Sequence, residues 1–228
     1  MTLFVKLCGI VNERQLEVAV EAGADAIGFV LTPSPRQVSL EDAARMRGSL
    51  PSSILGVAVF HDPAPALLRR AQEVIEPDLL QSELSTLAGV AADRALPVVV
   101  DGHTLEGDLA RAARLTTRDM VLVDSAARGG TGHSPSWERV AAVDFGGRLV
   151  LAGGLDPDNV AEAVGLVRPY GVDVSSGIES APGVKDPARM RAFVEAARGA
   201  VSPPVGGSTA AGGEGGIQFA GRDHDTRD

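Results

Sequence analysis

Cys8 is the only cysteine of the chain, standing two residues after Lys6 and directly before Gly9, where the run Phe4-Val5-Lys6-Leu7 ends. A thiol in such a place has two readings. Most lone cysteines are buried hydrophobes. A thiolate whose pKa falls toward the working pH is instead a general base. Asp124 closes a second apolar run, Met120-Val121-Leu122-Val123. A carboxyl group there can cap a helix, pair with a cation, or stay protonated and act as a general acid, which requires burial or a nearby negative charge. Asp101, after Pro97-Val98-Val99-Val100, competes for that role by position. Arg36, in the turn Ser34-Pro35-Arg36, is either a surface cation or a planar, bidentate receptor for a carboxylate or phosphate.

Two more segments suit an anion. Gly153-Gly154 follows Leu149-Val150-Leu151-Ala152, and Ser175-Ser176-Gly177 follows Val172-Asp173-Val174. The glycine pair alone reads as a tight turn. With two hydroxyl donors on the neighbouring run, the pair becomes a phosphate cradle of close backbone and side-chain donors. The run Gly129-Gly130-Thr131-Gly132 reads as a mobile loop over a site or as a plain linker.

These residues share one property: each follows a short apolar run. Eight such runs occur between residues 4 and 174, rich in Val and Ile and without polar alternation, the fourth (Leu79-Leu80) being the weakest. Strands buried on both faces, as in parallel sheets, have this composition. Helical stretches lie between them. Asp156-Pro157 and Asp186-Pro187 place an N-cap before a proline, each followed by an apolar face at i, i+3, i+4 and i+7. Asp62-Pro63 and Ser134-Pro135 predict two further starts, Asn12 caps another helix that Gly23 ends, and Ser39 with Asp42 resembles a capping box. Eight near-equal βα units predict a closed (β/α)8 TIM barrel of one domain over residues 1–200. An open doubly wound sheet is the competitor, weakened by the lack of a Gly-x-Gly-x-x-Gly turn after the first strand. In a barrel, residues at the C-terminal strand ends form the active site, and this rule selects every residue above.

Composition closes off other classes. The 228 residues carry a net charge of −9 with 44% apolar and 22% charged residues, enough for a real core and against wholesale disorder. One cysteine excludes a disulfide-stapled secreted scaffold and a cysteine-built zinc site. The acidic balance argues against nucleic-acid and anionic-membrane partners but leaves room for a small anionic ligand at a local positive site. No targeting segment or membrane-length apolar run is visible, so a cytoplasmic setting is expected. Residues 201–228, rich in Gly, Ser and Pro, read as a disordered tail. No long apolar surface stripe stands out; a monomer is expected, with a dimer as the alternative.

Taken together, the segments Val5-Lys6-Leu7-Cys8-Gly9, Gly28-Phe29-Val30 with Ser34-Pro35-Arg36, Val123-Asp124-Ser125 with Gly129-Gly130-Thr131-Gly132, Leu151-Ala152-Gly153-Gly154-Leu155 with Pro157 and Asn159-Val160, Gly171 to Glu179, and Pro182-Gly183-Val184-Lys185-Asp186 resemble phosphoribosylanthranilate isomerase, an enzyme family of tryptophan biosynthesis. The resemblance covers roughly residues 3 to 198. It implies a barrel that needs no metal or organic cofactor and performs an Amadori rearrangement of N-(5′-phosphoribosyl)anthranilate. It further implies Cys8 as general base and Asp124 as general acid. Arg36 would hold the anthranilate carboxylate, Gly153, Gly154, Ser175 and Ser176 the phosphate, and Gln81 would be a substrate contact. Two positions depart from the family pattern: Glu83 stands where a histidine is usual in Gln-Leu-His-Gly, and His133 where a lysine is usual. They leave two other readings: a related barrel isomerase acting on another aminated sugar phosphate, and a catalytically silent barrel that binds a phosphorylated ligand. Retention of Cys8, Asp124 and Arg36 together argues against the silent one.

Overall fold

Runs of Val, Ile and Leu without polar alternation form strands only where both faces leave water, and a closed barrel wrapped by helices provides that. The structure is a computed structural model that describes residues 2–100, 104–118, 120–125 and 137–200. The chain alternates β1 (Phe4–Cys8), α1 (Glu13–Glu21), β2 (Ala26–Val30), α2 (Leu40–Gly48), β3 (Leu55–Val59), α3 (Pro65–Ile75), β4 (Leu79–Glu83), α4 (Leu84–Leu87) and β5 (Ala95–Val100). It continues with α5 (Leu105–Ala113), β6 (Met120–Asp124), α6 (Trp137–Ala141), β7 (Arg148–Ala152), α7 (Val160–Val167) and β8 (Gly171–Val174). A small hairpin, β9 (Glu179–Ala181) and β10 (Val184–Lys185), precedes α8 (Pro187–Gly199). The eight strands from β1 to β8 pair in sequence order, all parallel, and β8 closes on β1 through Phe4↔Gly171 to Leu7↔Val174. The open-sheet alternative is thereby excluded.

Strand parity divides the core in two. Val5 and Leu7 of β1 and Val172 and Val174 of β8 join the large apolar layer beneath the helices. Phe4, Val57, Leu79, Leu96, Met120 and Leu122 form a separate cluster inside the barrel. Side chains alternate faces with period two, so Lys6 and Cys8 turn inward with Phe4, and Asp124 turns inward with Met120 and Leu122. Asp173, between two outward valines, also turns inward.

Several helix starts agree with the sequence and two shift. Asn12 Oδ1 accepts from Gln15 N–H, Asp186 accepts from Ala188 and Arg189 N–H, and Gly23 follows α1 at φ +88°. Ser39 Oγ accepts from Asp42 N–H, but the Asp42 carboxylate accepts from the Ser39 hydroxyl rather than reaching back to its N–H, so the capping box is half made. After β7 the helix begins at Val160, because Asp156 spends its carboxylate on the Asp158 and Asn159 N–H groups of an intervening turn. Likewise α3 begins at Pro65, not Pro63; Asp62 sits at φ 44°, which no helix accepts. Ser134-Pro135, Asp101 and the expected tail 201–228 lie outside the described residues.

Candidate active site

Cys8 ends β1 and is buried. Beside it, Lys6 is completely buried, and its Nζ donates to Asp173 Oδ1 of β8 at 2.8 Å. A Cβ placed on Gly28 of β2 would lie 2.7 Å from Cys8 Sγ and 3.2 Å from Lys6 Nζ, so thiol and ammonium converge on one spot of the wall. Burial pushes the Cys8 thiol above its ordinary value, with Lys6 opposing through its charge and Asp173 adding to the rise. Burial works against the Lys6 ammonium, but Asp173 and Cys8 outweigh it and hold the lysine charged.

Asp124, half-buried at the end of β6, lines a cavity of about 210 Å³ with Gly153, Gly154, Asp173, Ser175 and Ser176. The loops forming this cavity are tied together. Ser125 Oγ donates to Ala152 O at 2.9 Å, fixing the end of β6 to the end of β7. Gly153 and Gly154 adopt φ of 91° and 66°, a left-handed path that side chains disfavour. Asn159 Nδ2 donates to Gly154 O at 2.9 Å, bracing this path from the loop before α7. The expected cradle and the expected acid thus face one space.

Arg36 sits where the sequence places it, in a turn closed by Ser34 Oγ accepting from its N–H at 2.9 Å. Its fork is engaged: Nε and Nη2 donate to the two carboxylate oxygens of Glu179 in β9 at 2.7 and 2.8 Å. Glu179 also accepts from Lys185 Nζ at 2.8 Å, and that same ammonium donates to Ser175 O at 2.9 Å. Burial disfavours the Glu179 charge, yet Arg36 and Lys185 together hold its carboxyl below the ordinary range. Desolvation lowers Lys185, with Glu179 resisting. Two cations on one carboxylate leave this cluster, beside Ser175, with one positive charge in excess.

On β4, Gln81 is buried, and its Oε1 has no hydrogen-bond partner among the described residues. A buried acceptor left unpaired is costly, and parity directs this one into the barrel with Leu79. Glu83 does not project into the cavity that Asp124 lines. Its carboxylate pairs with His61 Nδ1 and accepts from Asp62 N–H at 3.2 Å and Ser82 Oγ at 2.9 Å. Burial would raise its pKa, but these donors and its own backbone N–H win and lower it. The departure from the family pattern is therefore a local hydrogen-bonded contact with the loop after β3. Gly129, Gly130, Thr131, Gly132 and His133 lie outside the described residues.

The sequence passed over four neighbours of the expected site: Asp173, Glu179 and Lys185 as charge partners, and Asn159 as a brace. Asp173 had a signal, an acid between two buried valines in an apolar strand, and Lys185 did not.

Several known proteins are similar to this chain. The family model described as N-(5′-phosphoribosyl)anthranilate (PRA) isomerase matches residues 5–196. The N-(5′-phosphoribosyl)anthranilate isomerase of Geobacter sulfurreducens is 41% identical over 199 residues, covering 86% of this chain and 98% of that relative. A crystal structure of monomers generated from the dimeric phosphoribosylanthranilate isomerase of Thermotoga maritima superposes with a TM-score of 0.72 at 33% identity, covering 86% of this chain and 99% of the other. A phosphoribosyl anthranilate isomerase in complex with reduced 1-(o-carboxyphenylamino)-1-deoxyribulose 5-phosphate gives 0.71 at 34% identity, with coverage of 86% and 99%.

Proposed function

This chain belongs to the N-(5′-phosphoribosyl)anthranilate isomerase family, and from that premise we propose how its residues divide the reaction. The protein is an isomerase of tryptophan biosynthesis that acts on a small phosphorylated substrate. Asp124 is the general acid. It protonates the ribose ring oxygen, the C1′–O bond breaks, and the anilino nitrogen supplies the electron pair that forms a protonated Schiff base. Cys8, in the thiolate form that burial disfavours and the Lys6 charge favours, then removes the C2′ proton, and the electrons of that bond neutralise the iminium to give an enolamine. Tautomerisation moves the O2′ proton to C1′ and yields the ketone. No electron leaves the substrate, so acid–base groups suffice, each contributing about 10²–10⁴-fold.

The phosphate goes to Gly153, Gly154, Ser175 and Ser176, next to the excess charge of Arg36 and Lys185. The anthranilate carboxylate goes to the N–H groups of Arg36 that Glu179 leaves available. Gln81 Oε1 accepts from a hydroxyl of the opened sugar, gaining the partner it lacks. The observation that carries this reading is the shared cavity: Asp124 and the cradle line it together with Asp173, whose partner Lys6 stands beside Cys8. Residues 1–200 are the catalytic unit. It works in the cytoplasm, as its biosynthetic family implies, and as a monomer, since the exposed large apolar residues among those described, Leu166, Tyr170 and Val184, are few.

The test is turnover of freshly made phosphoribosylanthranilate, followed as loss of its fluorescence, with rescue of an isomerase-deficient tryptophan auxotroph as an independent check. Loss of kcat in Cys8→Ala and Asp124→Asn is expected; near-normal kcat in both would overturn the assigned roles.

A further inference from the structure

A barrel interior has no need of an ion pair. The lower part of this one is filled with Phe4, Leu79, Met120 and their neighbours, and a buried pair is commonly no more stable than apolar residues of the same volume. Yet Lys6, wholly buried, crosses from β1 to Asp173 on β8 at 2.8 Å. The position is specific. By the Gly28 ruler, Nζ and Sγ are at most about 6 Å apart, close enough for the ammonium charge to favour the thiolate. We propose that Lys6 is a positioning residue for the base: Asp173 fixes its ammonium so that it orients the Cys8 sulfur and is the counter-ion of the thiolate.

This inference rests on the reading of Cys8 as the base and deepens it. Among the described residues, four charged groups act on the sulfur. Lys6 and Asp173 are one neutral pair; Lys185 of β10 and Arg36 of the loop after β2 are the other cations, both bound to Glu179. Lys6 leads among them. When Cys8 takes the C2′ proton, the thiol needs the ammonium less and Asp173 retains it. The lysine gives up no proton and the cycle closes unchanged.

The chain has one cysteine, so thiolate absorbance in the ultraviolet reports Cys8 alone, with no substrate present. Lys6→Met is expected to move the titration upward by at least about one pH unit, a tenfold smaller thiolate fraction at a fixed pH. Asp173→Asn is expected to move it downward, because the carboxylate opposes the thiolate. A group that only supports packing would not produce opposite shifts. Lys6→Arg should recover part of the wild-type midpoint. Should Lys6→Met fail to fold, the double variant Lys6→Met/Asp173→Asn leaves no orphaned charge. It should still titrate above wild type, since Lys6 acts on the sulfur more strongly than Asp173 does. In turnover, the alkaline rise of kcat/KM should shift with the same sign as the thiol titration. Midpoints that stay put, or that move in the same direction for Lys6→Met and Asp173→Asn, overturn the inference. Cys8→Ala with full kcat overturns instead the reading beneath it, which the titration does not touch.

Discussion

The lower and upper parts of the barrel interior are built from the same strands and share almost no chemistry. Phe4 and Cys8 are four residues apart on β1, Leu79 and Gln81 two apart on β4, Met120 and Asp124 four apart on β6. Two residues span only about 6.6 Å along a strand. Below, apolar side chains fill the space and need no partners. Above, Lys6 and Asp173 form a buried pair, and the acceptor of Gln81 has no hydrogen-bond partner among the described residues. Stability and reactivity are separated along the barrel axis, and because a strand repeats every two residues, one sequence can specify both independently.

Substitutions can test how complete that separation is. The largest effect should come from the top: Cys8→Ala or Asp124→Asn lowers kcat by about 10²–10⁴-fold while the thermal midpoint stays near wild type. A large drop in the midpoint would mean that the upper layer also holds the barrel together. At the bottom, Leu122→Ala should cost about 2–5 kcal/mol in urea unfolding and leave kcat per folded molecule unchanged; a parallel loss of kcat would merge the two layers. Next comes the rim. Arg36→Lys removes the planar fork, so KM should rise by roughly tenfold with kcat held within about twofold; a fall in kcat alone would move Arg36 into the reacting centre.

Smaller still is the acid response. Glu179 has a folded pKa below its ordinary 4.5, so its contribution to stability is fully present above about pH 4.5 and is lost as pH falls through the lower folded value. Glu179→Gln should flatten that part of the stability–pH curve, as read by chemical unfolding from pH 5 to 3; an unchanged curve would show that its two cations do not couple to folding. The smallest effect belongs to the departure on β4. Glu83 is about one-third exposed in its pair with His61, a setting in which ion pairs contribute about 0–1 kcal/mol. Glu83→His should leave turnover equal or higher, and a large loss would give the pair a role at the site.

The same division decides what the sequence could show. The eight strands were legible because burial on both faces removes polar alternation, and even Leu79-Leu80 proved to open a five-residue strand. The strand-end rule singled out Cys8, Arg36, Asp124 and the β7–β8 loops without geometry, and the structure gathers Asp124 and those loops around one cavity. Helix starts were legible where an Asp or Asn caps directly, at Asn12 and Asp186, but not at Asp156, whose carboxylate serves a turn first. Partnerships were hidden. Nothing near Arg36 announces Glu179, and a glutamate replacing a histidine gives no sign that His61 stands across the loop to receive it. Such pairings depend on barrel closure, which a linear pattern does not contain.

Barrel closure also sets a clock during synthesis. Lys6 waits 167 residues for Asp173, and Arg36 waits 143 for Glu179. At bacterial and eukaryotic translation speeds the first interval lasts roughly ten to thirty seconds, during which the lysine destined for the barrel interior has no counter-ion. A ribosome that stops before β8 therefore releases a chain that can neither seal its sheet nor neutralise its own centre. The last barrel strand to emerge is the one that admits the first residues to the folded state.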